Sequence, residues 1–173
     1  MKNLIFLDID GVLNCQLFFE AKRQCERVKE AKEPFAFEKG NICKERLDIF
    51  NKLCMDTDSA VVLSSTWRTG KTVEWLQKMF FELGGTFQLL DKTGHCPSRV
   101  RGAEIAQWME KNCKATFGVD YFDFYRYAII DDDSDMLLTQ AQHFFQTDNY
   151  CGLTPNICYK IKRFFTNNVN TLK

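Results

Sequence analysis

Three short apolar runs in this chain stop abruptly on polar clusters. Leu4-Ile5-Phe6-Leu7 runs into Asp8-Ile9-Asp10-Gly11, and Ser59-Ala60-Val61-Val62-Leu63 runs into Ser64-Ser65-Thr66-Trp67-Arg68. Tyr127-Ala128-Ile129-Ile130 runs into Asp131-Asp132-Asp133-Ser134-Asp135. A continuous apolar run this short reads as a strand buried on both faces, the signature of a parallel sheet. Between the runs the apolar spacing turns helical, over Lys44 to Met55, Val73 to Leu83 (closed by Gly84-Gly85) and Glu104 to Cys113. Thr86 to Leu90 and His143 to Gln146 read as two further strands, Met136 to Ala141 as a short helix and Thr154 to Phe165 as a closing helix. Strands alternating with helices predict an α/β fold, a parallel sheet of about five strands with helices on both faces. In such sheets ligands bind outside the carboxyl ends of the strands, which would gather the three polar clusters at one edge.

Length and composition narrow the classes. A chain of 173 residues suits one domain with a substantial core. Lys plus Arg balances Asp plus Glu at 23 each, so no overall field draws the chain to nucleic acid or membrane, although a local basic patch stays compatible. No segment has the build of a signal peptide, and no apolar run approaches the roughly 20 residues that span a bilayer. The eight cysteines are scattered without a C-x-x-C pair, which argues against structural zinc and predicts reduced thiols in a cytoplasmic protein. Gln16 to Glu33 reads as a helical excursion ending near Pro34, either a lid over the first strand's tip or a solvated surface helix. The aromatic stretch Phe117 to Tyr125 reads as loop residues folded back on the core, and Asn167 to Lys173 as a polar tail that frays.

The polar clusters hold the parts of a phosphoryl-transfer site. Asp8 can attack phosphorus or hold a metal, and Asp10 can handle a proton; the bland alternative is a strand ending in an ordinary Asp-Gly turn. Magnesium prefers oxygen ligands and is held by few carboxylates, which Asp8 and the Asp131 to Asp135 run can supply from two strands. Helix capping accounts for one or two of those four acids, and four packed together repel one another without a cation. Ser64 and Ser65 offer hydroxyls to phosphate oxygens, Arg68 a bidentate cation, and Arg99 and Arg101 further positive charge. Gly70-Lys71-Thr72 has the strand-to-helix setting of a P-loop but lacks its first glycine, since Ser65 stands there. His95 and His143 have no evident partner and read as structural or solvated.

These residues resemble the haloacid dehalogenase (HAD) superfamily of phosphatases and phosphotransferases. Asp8-Ile9-Asp10-Gly11-Val12-Leu13-Asn14 is similar to its first motif, Val61-Val62-Leu63-Ser64 to its second and Ile129-Ile130-Asp131-Asp132 to its fourth. Ser64 to Arg68, Arg101-Gly102-Ala103-Glu104-Ile105, Ile130 to Met136, and Thr147-Asp148 followed by Gly152-Leu153-Thr154 resemble the phosphatase-like domain of Swiss-army-knife RNA repair proteins. The resemblance implies a Rossmann-like HAD core with a minimal cap: one domain over residues 1–173 with a small helical insertion at about 15–40. It implies that Asp8 is the nucleophile and a magnesium ligand. Asp10 is then the acid and base, and lends the metal its backbone carbonyl. Ser64 holds the phosphoryl group and Arg101, ahead of Arg99, fills the third motif. Asp132 and Asp131 are the further Mg2+ ligands, with Asp133 or Asp135 behind them, and Ser65, Arg68 and Arg99 touch substrate. So small a cap leaves the site open to a bulky phosphorylated substrate such as a nucleotide or a nucleic-acid end. The alternatives are a phosphatase of a small metabolite or phosphoprotein, and a non-catalytic phosphate-binding module on the same fold.

Overall fold

In a computed structural model that describes residues 2–25 and 34–170, five strands form one parallel sheet. They are β1 (Asn3–Leu7), β2 (Ser59–Leu63), β3 (Leu89–Lys92), β4 (Tyr127–Asp131) and β5 (Phe144–Gln146), in the spatial order β3-β2-β1-β4-β5. The helices are α1 (Gln16–Cys25), α2 (Ala36–Asn41), α3 (Lys44–Thr57), α4 (Val73–Glu82), α5 (Arg101–Phe117) and α6 (Pro155–Asn170). This is the Rossmann-like α/β core that the resemblance implies.

Two apolar layers sandwich the sheet. On one side Ile5, Leu7, Val61, Leu63 and Ile130 meet Leu47 and Phe50 of α3, Leu76 and Phe80 of α4, and Ile161 of α6. On the other, Leu4, Phe6, Val62 and Ile129 meet Ile105, Trp108 and Met109 of α5. Because side chains alternate along a strand, Asp8, Ser64 and Asp131 each stand two residues beyond a member of the α5-side layer. Register aligns them: Leu7 lies opposite both Leu63 and Ile130. Beyond those pairs the Asp8 N–H donates to the Ile130 carbonyl at 2.9 Å and the Ser64 N–H to the Leu7 carbonyl at 2.8 Å. Strand alternation and register together set the three side chains side by side, at the start of α5.

Several elements depart from expectation for physical reasons. The third strand begins at Leu89 instead of Thr86, because Phe87 turns into the core against Phe50 and Phe80 and the Gln77 side chain takes the Leu89 N–H at 2.7 Å. Helix α5 starts at Arg101, not Glu104, since Asp135 caps it from afar: its carboxylate accepts the Arg101 N–H at 2.7 Å and its carbonyl the Gly102 N–H at 3.1 Å. The expected helix over Met136 to Ala141 is a 3₁₀ helix at Leu138–His143, and the fifth strand begins one residue later, at Phe144. The aromatic stretch is divided, with Phe124 buried beneath α5 and Phe122 82% exposed. The expected excursion to Glu33 is helical through Cys25; its continuation over residues 26–33 lies outside the described residues.

Candidate active site

The loop after β1 is wound tightly. The N–H groups of Val12, Leu13 and Asn14 all donate to the Ile9 carbonyl, at 3.1, 2.8 and 3.2 Å. Gly11 turns through φ +65°, and a Cβ there would run into the Asp132 carboxyl group, so glycine is required by backbone and by space. Asn14 clasps the turn: its Oδ1 accepts the Gly11 N–H at 3.0 Å, while its amide donates to Asp10 Oδ1 at 2.8 Å and to the Asn41 carbonyl at 3.1 Å. The Trp67 indole N–H takes the other Asp10 oxygen at 3.0 Å. Asp10 is thereby fixed through both oxygens. The Thr147 to Thr154 segment braces the same loop from behind. The Thr147 hydroxyl donates to the Gly11 carbonyl at 2.8 Å, and the Leu153 N–H to that of Val12 at 2.9 Å.

Asp8, Asp131 and Asp132 form an acid cluster in which ligand atoms from all three lie within 4.8 Å of one another. Burial, then the facing Asp131 charge, pushes the Asp8 carboxyl up to about 8, against the pull of Arg101 and of a Ser65 hydrogen bond. Burial likewise raises Asp131 to about 7 and lifts Asp132 above its ordinary range. Asp131 Oδ1 accepts the Asp133 N–H at 3.0 Å, whereas its buried Oδ2 accepts no hydrogen bond among the described residues and has only the Arg101 guanidinium, at 3.4 Å. Carboxylates forced together against their charge, one with a buried oxygen that accepts no hydrogen bond, fit a small divalent cation that takes oxygen ligands. Asp8, Asp131 and Asp132 are the side chains that would hold it. Asp135 is engaged in capping α5, and the Asp133 carboxylate accepts the Ser134 N–H at 2.7 Å. The Asp10 carboxylate is held by Asn14 and Trp67, so a contribution from that residue would come through its backbone.

Arg101, the first residue of α5, reaches into the cluster. Its Nη2 lies 3.5 Å from Asp8 Oδ1, its Nε 3.4 Å from Asp131 Oδ2 and its Nη1 3.5 Å from Glu104 Oε2. Gly102 permits this approach, because a Cβ there would collide with the Leu137 N–H and the Gln140 side chain, and the Gln140 amide donates to the Gly102 carbonyl at 2.9 Å. Ser64 is buried beside the acids with an unpaired hydroxyl.

The other expected substrate contacts are placed differently. Arg68 is only 2% exposed. Its guanidinium donates to the Thr93, Ser65 and Gly94 carbonyls at 2.9, 2.5 and 3.2 Å and pairs with Glu104 at 2.5 Å. It thus ties β2, the loop after β3 and α5 together instead of facing a ligand. Ser65 stays at the site, its side chain hydrogen-bonded to Asp8, and it also caps the 3₁₀ turn Thr66–Arg68, accepting the Trp67 N–H at 3.4 Å. Arg99 adopts a left-handed φ of 55° and lines, with Arg101, His95 and Thr66, a cleft of about 550 Å³. Lys71 lies 4.1 Å over the Trp75 ring and Thr72 caps α4, which accounts for the P-loop-like residues without a phosphate. His95 contacts Arg68 at 3.2 Å and Glu104 at 3.3 Å, and the buried His143 lies at the far edge of the sheet against the Tyr127 carbonyl. Sequence reasoning did not single out Asn14, Trp67, Glu104, Thr93 or Thr147 as site residues. All but Thr93 stand within the motifs that carry the resemblance, yet their roles appear only in their contacts, such as Trp67 with Asp10 and Thr147 with Gly11.

A family described as the HAD domain in Swiss Army Knife RNA repair proteins matches the chain over residues 4–157. The chain belongs to this family. The match runs from β1 into the first turn of α6 and takes in every acid of the cluster, Arg101 and the bracing segment. No curated protein and no solved structure matches this HAD domain. Among its described residues, no helix is long and apolar enough to cross a membrane.

Proposed function

We propose that this HAD domain is a magnesium-dependent phosphomonoesterase that works through an aspartyl-phosphate. The reading is carried by one observation: a buried carboxylate, Asp8, faces Arg101, Asp131 and Asp132 while a second carboxylate two residues on, Asp10, is pinned through both oxygens. A phosphate-binding module needs cations more than it needs such a pair. Asp8, Asp131 and Asp132 would hold a magnesium ion, which would supply positive charge for the phosphoryl oxygens and relieve the repulsion among the acids.

In the first step a carboxylate oxygen of Asp8 attacks phosphorus in line, and the bond from phosphorus to the leaving oxygen breaks as Asp10 gives that oxygen a proton. In the second, Asp10 takes a proton from a water, whose oxygen attacks the same phosphorus; free phosphate departs and the Asp8 carboxylate is restored. The Ser64 hydroxyl donates to one phosphoryl oxygen, and Arg101 balances charge on another. Arg99 stands at the mouth of the cleft, suited to a further phosphate.

The preferred substrate class is a nucleotide or a polynucleotide terminal phosphate. The family description, which places its HAD domains in RNA repair proteins, supports this, as does the modest insert between β1 and α3, where the described helices are α1 and the six-residue α2. The test is phosphate release with Mg2+ from nucleotides, 3′- and 5′-phosphorylated oligonucleotides, sugar phosphates and phosphopeptides. Release from the nucleic-acid ends, lost in Asp8→Asn, is expected; activity surviving that substitution would sink the mechanism.

A further inference from the structure

We infer that Trp67 and Phe37 form a stacking platform for the base of the departing nucleoside, so that the site selects its substrate on the leaving-group side. This rests on the phosphatase reading, in which Asp10 protonates the leaving oxygen. A general acid must lie within hydrogen-bond reach of that oxygen, about 2.6–3.2 Å. Asp10 Oδ2 is 3.0 Å from the Trp67 indole nitrogen, so whatever leaves the phosphorus departs alongside this ring.

The ring is fixed before any substrate arrives. Trp67 is half-buried, packed on the edge of the α3/α4-side core, and its N–H is tied to Asp10. Phe37, on α2, lies with its ring centroid 6.1 Å from that of Trp67 and its plane turned by 37°. Phe37 is 71% exposed, so its ring contributes little to folding. Its neighbour Phe35 does pack, against Trp75 at 5.0 Å. Two planar rings, one pinned and one open to solvent, beside the point where the leaving group emerges suit a planar, apolar-faced group. In a phosphate ester of the proposed class that group is a nucleobase, and stacking on aromatic side chains accepts any base through its π-face.

The test compares steady-state phosphate release from an oligonucleotide with a base on its terminal phosphorylated sugar and from the same oligonucleotide with that sugar abasic. The wild type is expected to favour the base-bearing substrate through KM, by roughly ten-fold or more, as for one base stack. Phe37→Ala should erase that preference, raising KM for the base-bearing substrate to that for the abasic one. Trp67→Phe keeps a ring but loses the donor to Asp10, so it should retain the preference and lower kcat on both substrates. Equal handling of the two substrates by the wild type, or a Phe37→Ala loss shared equally between them, would overturn the platform. So would a Phe37-dependent preference for a phosphotyrosine peptide.

Where no turnover is seen, the same two oligonucleotides are titrated onto Asp8→Asn. Base-dependent quenching of indole fluorescence, weakened by Phe37→Ala, upholds the platform while the phosphatase reading falls; quenching indifferent to the base removes the platform itself.

Discussion

The two edges of the sheet treat buried polar groups differently. At the amino edge they are paired. Asn3 donates to the Thr57 carbonyl and accepts from Arg126 at 3.0 Å, the Thr57 hydroxyl meets both Leu53 and Ser59 at 2.7 Å, and His143 contacts the Tyr127 carbonyl at 2.9 Å. At the carboxyl edge Arg68, Glu104 and Thr147 are paired, but bonding capacity is left over. Ser64 Oγ and Thr93 Oγ1, following β2 and β3, are buried without hydrogen-bond partners among the described residues, and Asp131 Oδ2, ending β4, has only the Arg101 guanidinium, at 3.4 Å. Leaving a buried hydroxyl unpaired costs about 1–3 kcal/mol, so two of them beside a carboxylate oxygen that accepts no hydrogen bond mark a place with more bonding capacity than folding uses. Both edges hold the chain together, and the carboxyl edge also keeps bonding capacity for a ligand.

Substitutions at the two edges should therefore separate activity from stability. The largest effect is expected for Asp8→Asn, which should lower kcat at least about a thousand-fold. It should not lower the metal-free melting temperature above about pH 8, where it removes one of the repelling charges; thermal unfolding without Mg2+ checks this. Arg101→Met should follow, with kcat/KM falling by about two to three orders of magnitude as the charge facing the phosphoryl group is lost. At the amino edge, His143→Ala removes a ring stacked 3.8 Å from Tyr127 as well as its hydrogen bond. It should destabilise by about 2 kcal/mol in denaturant unfolding and leave kcat unchanged below the transition. An equal loss of activity in that variant would erase the distinction between the edges.

The acids at the carboxyl edge also set a smaller, pH-dependent effect. Their folded-state values are raised, so without metal the folded protein binds protons that the unfolded chain has released. Stability then falls as pH rises from the ordinary carboxylate range, about 3.8, through about 7 for Asp131 and about 8 for Asp8. Mg2+ should offset that loss, raising the melting temperature by more at pH 8 than at pH 6, by a few degrees. His143 acts in the other direction. Burial lowers its value, so its contribution is full above about 6.5 and fades as pH falls below that, an acid-side loss that His143→Ala should lack.

What the sequence revealed and what it hid follow from range. The strands β1, β2 and β4 are buried on both faces, so their apolar runs showed them to within a residue, and with them the level at which Asp8, Ser64 and Asp131 emerge. The edge strand β3 was misplaced because its register depends on Gln77 and on where Phe87 finds room. Arg68 and Arg101 looked alike as cations near a helix start. They differ only because carbonyls of the loop after β3 close around Arg68, whereas Asp8 and Asp131 stand before Arg101. Asp135 read as one acid among four and proves to be the cap of a helix that begins 34 residues earlier. The pairing of Trp67 with Asp10, 57 positions apart, had no local signal at all.

The central claim, covalent chemistry at Asp8, is tested most directly by trapping. The protein is mixed with Mg2+ and an oligonucleotide radiolabelled in its terminal phosphate, quenched in acid during turnover, and mapped by peptide. The account predicts label on the peptide holding Asp8, labile to hydroxylamine as an acyl phosphate must be, and absent from Asp8→Asn. Label on any other residue, or turnover of the same substrate by Asp8→Asn, would contradict it.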